Sequence, residues 1–130
     1  MSRMRFEVAA AWGMGVVLPL LEILRRKTNF HPIASYVDDL IAGALLLFAA
    51  RAASRKRPNA DAWLAAAWGV LAGGLYGSFF GQLEQWRAVD VSGQSGLFVV
   101  CVKGVLFAVS IAALVCALRR PQARGTQSTC

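Results

Sequence analysis

The sequence predicts an all-α, polytopic membrane protein: four transmembrane helices in a compact antiparallel bundle. Three observations carry this. Apolar residues make up 57% of the 130-residue chain and charged residues only 16%, where an ordinary soluble domain has about 25% charged. The charges gather between long apolar runs instead of alternating with apolar residues. Each of the four runs is close to the roughly 20 residues that cross about 30 Å of hydrocarbon.

The expected spans are about 6–24, 36–53, 61–84 and 96–118, within one transmembrane domain over 1–120. The first, "FEVAAAWGMGVVLPLLEIL", is closed by Arg25, Arg26 and Lys27. Arg3 and Arg5 give it a positive start, but no small-x-small cleavage site follows, so it reads as a retained helix and not a signal peptide. The second is the shortest, with its clean core at "LIAGALLLFAA"; Ser35-x-x-Asp38 before it has the form of a capping box and puts its start near Tyr36. Before the third, Pro58 interrupts the chain and Asn59 or Asp61 supplies a cap. "DVSGQSG" is turn chemistry, with Ser92 or Ser95 capping the fourth, and Pro121 closes it. Residues 121–130 read as a flexible tail.

Basic residues orient the spans. With alternating helices, one side holds Arg3, Arg5, Arg51, Arg55, Lys56, Arg57, Arg119, Arg120 and Arg124, nine in all. The other holds four: Arg25, Arg26, Lys27 and Arg87. Both termini are therefore expected in the cytoplasm of a bacterial inner membrane. Orientation and attraction to anionic head groups account for the net charge of +7, and no nucleic-acid partner is needed.

Gly69, Gly73, Gly77 and Gly81 recur every fourth residue, with Ala65 one step upstream. Lipid tails are as apolar as side chains, so helices in a bilayer associate through close van der Waals contact, which small residues permit. The row reads as a glycine zipper, a flat groove that admits another backbone. Gly104, Ala108, Ala112 and Cys116 share its spacing on the fourth helix and are a candidate partner, with Ala9 and Gly13 on the first; the spacing does not say whether the partner lies within the chain or on a second subunit. A sharper reading lets "GGLYGSFFGQ" bend or line a narrow path.

Charges inside spans are functional hypotheses by default. Lys103 lies about 10 Å into the fourth helix. Glu22, Asp38, Asp39 and Glu84 approach the same outer half, so an outward-facing polar cluster of these five residues is expected. Each also has a structural reading: Glu22 with Arg25 and Arg26, Asp38 and Asp39 at a helix N-terminus, Glu84 at the water interface, and Lys103 reaching out along its stem. Glu7 is expected at the inner interface beside Arg3 and Arg5.

Cys101 and Cys116 stand about 22 Å apart along one helix, too far to pair. There is no CxxC motif, and His31 is the sole histidine. No Ser-His-Asp, HExxH or phosphate-loop arrangement is present. The chain is thus expected to have no catalytic residues, no metal and no cofactor. Its expected role is that of an oligomerising or accessory subunit in the lipid bilayer, packing on a second copy or a larger membrane protein. The alternative is a small-solute or ion transporter that uses the outer polar cluster.

Overall fold

In hydrocarbon a backbone satisfies its own polar groups most simply as helix, and the four apolar runs fold that way. The computed structural model describes residues 5–26, 33–90 and 93–119. Four helices follow in order: α1 (Phe6–Arg26), α2 (Ile33–Ser54), α3 (Ala60–Glu84) and α4 (Gly96–Leu118). No strand occurs among the described residues, where β structure is limited to an isolated bridge between Val89 and Ser95. α1, α3 and α4 are long and apolar enough to cross a membrane. α2 has 22 residues, with Asp38 and Asp39 near one end and Arg51 near the other.

The helix ends correct three expectations. α2 begins at Ile33, so Ser35 is its third residue and cannot cap it. Asn59 precedes α3 in the left-handed region (φ 63°) and its side chain makes no capping bond. Asp61 lies inside the first turn and is engaged by Arg5. The fourth expectation holds: Ser95 is extended, and its hydroxyl accepts from the Phe98 N–H at 3.4 Å. His31, Ser92, Pro121 and the tail 121–130 lie outside the described residues.

α2 ends in a Schellman turn. The Arg57 N–H donates to the Ala52 carbonyl at 3.0 Å, and the Lys56 N–H to that of Ala53 at 3.1 Å. Lys56 takes the left-handed position (φ 51°) that glycine usually fills.

α1 packs chiefly on α2, α2 on α3 and α3 on α4, while α1 touches α4 and α3 only along short stretches. The core follows helical spacing: Val8, Ala11, Met14 and Leu18 from α1, with Ala42, Leu46, Ala49 and Ala50 from α2. Leu64, Ala67, Trp68, Leu71 and Leu75 of α3 and Ala113 and Ala117 of α4 complete it. α4 is the most apolar helix and the least covered.

The tightest crossing joins α1 to α2 at Gly15 and Gly43. A Cβ on Gly15 would stand 2.7 Å from Leu47 Cγ and 3.2 Å from the Gly43 carbonyl oxygen. One on Gly43 would stand 2.9 Å from Pro19 Cγ and 3.1 Å from the Gly15 carbonyl oxygen. The missing Cβ of each glycine thus leaves room for the other's carbonyl to approach. Pro19, inside α1, has no N–H to give the Gly15 carbonyl four residues before it. The close approach supplies that oxygen with a neighbour.

Trp68 is fully buried, and its indole N–H has no acceptor among the described residues. A buried donor left unpaired costs about 1–3 kcal/mol. Trp68→Phe removes that donor and keeps an aromatic ring. Its stability in a dodecyl sulfate unfolding titration is expected within about 1 kcal/mol of wild type or above it. Trp68→Ala is expected to lose about 3–5 kcal/mol.

Candidate functional site

On α3 the buried Leu64, Leu71 and Leu75 define the inward side. Gly73 and Gly77 each lie two residues from Leu75, about 200° round the helix, so the glycine row points away from the core. A Cβ added to Gly69, Gly73, Gly77 or Gly81 would meet no atom within 4 Å. Ala65, at the head of the row, is half-buried and packs against the core. The result is a shallow open groove, flanked by exposed Val70 on one side and exposed Tyr76 and Phe80 on the other.

Of the two candidate partners, neither the α4 ridge nor Gly13 of α1 seats on this row within the chain, and Gly13 also faces open space. Gly104 packs on Phe79, whose Cε2 would stand 3.1 Å from an added Cβ. Ala108, Ala112 and Cys116 are exposed. Aromatic rings fill the α3–α4 seam instead. Phe79 and Phe107 stack with centroids 6.1 Å apart and planes at 14°, and Tyr76 reaches Phe107 at 6.3 Å.

The five residues of the expected polar cluster meet different surroundings. Glu22 is buried, Asp39 and Lys103 are half-buried, and Asp38 and Glu84 are exposed. The Lys103 ammonium donates to the Ser78 carbonyl on α3 at 3.4 Å. Glu84 forms no ion pair among the described residues, so a Glu84–Lys103 bridge is absent there. Six residues of helix, about 9 Å, separate Glu84 from the carbonyl that Lys103 reaches. No group of three or more His, Cys, Asp or Glu side chains is placed to hold a metal among the described residues.

At the opposite end a charged tie appears that sequence reading did not supply. Arg5 Nε lies 3.2 Å from Glu7 Oε1, and its guanidinium also hydrogen-bonds Asp61. Glu7 is 2% exposed, buried instead of interfacial. The starts of α1 and α3 are therefore clamped together. The end of α2 joins them there, because the Trp12 indole N–H donates to the Ser54 hydroxyl at 3.4 Å.

No protein-family model, curated protein or solved structure matches the chain. Its own geometry carries the functional reading.

Proposed function

We propose that this is a four-span inner-membrane protein, an oligomerising or accessory subunit whose α3 glycine groove is the docking face. The observation that carries the reading is the emptiness of that groove in the single chain. A row of four glycines lowers helix propensity by about 1 kcal/mol at each position relative to alanine. No neighbour within the chain takes up the closeness they permit. A second copy of the chain is the occupant we favour, seating the same groove on itself about a two-fold axis; a larger membrane protein is the other.

In this reading α2 is the fourth span. Its apolar stretch 40–50 lies between the acids and Arg51, and its length matches its neighbours'. The helices then alternate in direction, both termini face the cytoplasm, and α4 presents its bare apolar surface to lipid.

Transport through the polar end is the second reading, favoured by the burial of Glu22 and the half-burial of Lys103. Solute and proton flux through liposomes holding the purified protein separates the two. The docking role predicts flux no greater than in empty vesicles, unchanged in Glu22→Gln and Lys103→Met. Flux in wild type that either substitution abolishes, in protein that still folds, would overturn it in favour of transport.

A further inference from the structure

The end of α2 carries more than an orientation signal. Phe48, Arg51 and Arg55 follow one another at helical spacing on one face. The Schellman turn through Lys56 then folds Arg57 back to Ala52. Phe48, Arg51, Ala52, Arg55 and Arg57 together line a concavity of about 160 Å³. The three arginines are exposed. Among the described residues no carboxylate pairs with them and no side chain hydrogen-bonds their guanidinium groups. Three cations around one hollow repel one another, and an anion seated among them reverses the sign of that interaction.

The aromatic side chains give the level of the hollow. Trp63 meets Phe48 edge to face, centroids 5.3 Å apart and planes at 83°, and Trp12 bonds Ser54 one turn from Arg51. Both tryptophans are exposed. Tryptophan side chains of this kind collect at the boundary between hydrocarbon and head groups. Phe48 then faces acyl chain while the guanidinium forks stand at phosphate depth, where arginine binds phosphate oxygens in pairs.

We infer that this hollow is a binding site for the phosphodiester of an anionic phospholipid, with Arg51, Arg55 and Arg57 on the phosphate and Phe48 along the first acyl carbons. The inference rests on α2 being a span. A lipid fits better than free phosphate because one wall is apolar and lies at the bilayer boundary. An anionic lipid fits better than a zwitterionic one because a choline would bring a fourth cation into the hollow.

The test is native mass spectrometry of the full chain released from mixed phosphatidylglycerol and phosphatidylcholine vesicles. Wild type is expected to keep phosphatidylglycerol about tenfold over its share, with each of Arg51→Gln, Arg55→Gln and Arg57→Gln lowering that about two- to fivefold. Arg119→Gln, a basic site at the end of α4, is expected to leave it unchanged. Equal retention of the two lipids, or an equal loss in Arg119→Gln, overturns the site. Displacement of the lipid by inorganic phosphate, with phosphate itself retained, overturns the lipid in favour of the free ion. Single cysteines from Asp38→Cys and Asn59→Cys, one towards each end of α2, with Cys101, Cys116 and Cys130 replaced by serine, separate the site from its premise when labelled from the two faces of sealed vesicles. Opposite-face labelling without lipid preference refutes the site alone; same-face labelling refutes α2 as a span and the site with it.

Discussion

Gly15→Leu and Gly43→Leu are each expected to break the α1–α2 pair, whereas Gly13→Leu, two residues from Gly15 on the same helix, is expected to leave the fold intact. The contrast follows from the distances. The first Cβ atom at Gly15 or Gly43 already falls under 3.0 Å from a side chain and close to 3.1–3.2 Å from a backbone oxygen. The carbonyl cannot rotate away without undoing helix, and the remaining leucine carbons have no space behind it. The two helices must separate, and Leu47 and Pro19 lose their seats with them. Overpacking of this kind typically costs about 1–3 kcal/mol, and more where, as here, the obstacle is backbone. Separation also returns the Gly15 carbonyl, which Pro19 cannot serve, to an apolar surrounding. At Gly13 an added Cβ meets nothing within 4 Å and faces open space. Unfolding titrations in mixed micelles, followed by circular dichroism, are expected to rank the variants Gly13→Leu near wild type and the other two far below. Similar losses at all three positions would mean that α1 and α2 do not cross where these distances put them.

The second large effect has opposite signs in two measurements. Gly73→Leu with Gly77→Leu is expected to weaken self-association about 10- to 100-fold, or about 1.4–2.8 kcal/mol. Leucines fill the groove and hold the facing backbones apart, and dispersion contacts fade within the first ångström of added gap. Within the single chain both substitutions add a first carbon that meets no other element within 4 Å. They replace a poor helix former with a good one, about 0.5–1 kcal/mol per residue, so the monomer is expected to be as stable as wild type or more so. Association read by energy transfer between labelled copies in vesicles, alongside unfolding of each variant, gives both numbers. A loss of association together with a loss of stability would make the glycines part of the fold itself.

The helical runs and their charged borders were legible because hydrophobic length and local cap chemistry are properties of neighbouring residues. Ser95 caps α4 as its spacing suggests. Ser35 misleads because the helix extends two residues upstream, to Ile33. The direction of the glycine row was not legible from its spacing. Small residues in a bilayer admit a close neighbour, and only the burial of Leu64, Leu71 and Leu75 opposite Gly73 and Gly77 shows that no neighbour within the chain takes that place. The matching spacing of Gly104, Ala108 and Ala112 showed that a ridge exists, not which way it faces; the stacked Phe79 and Phe107 decide that.

Gly15 and Gly43 were missed because a crossing of one glycine on each of two helices leaves no repeat to find. Pro19, one turn beyond Gly15, was the available signal. The Arg5–Asp61 contact spans 56 positions, and nothing local in either segment announces it. The polar cluster was assembled from depth along each helix alone. Depth does not say on which side of the helix a residue lies, so Glu22 emerges buried and Glu84 exposed.

The central claim is that the glycine groove of α3 docks against a second copy. Its most direct test is oxidative cross-linking of Gly77→Cys in membranes, with Cys101, Cys116 and Cys130 replaced by serine. Backbones in contact at the row bring the two cysteines to a Cα separation below about 7 Å, within disulfide reach. The account predicts a disulfide-linked dimer from Gly77→Cys and none from Val105→Cys on the exposed surface of α4. No dimer from Gly77→Cys, or equal dimer from both, would contradict it.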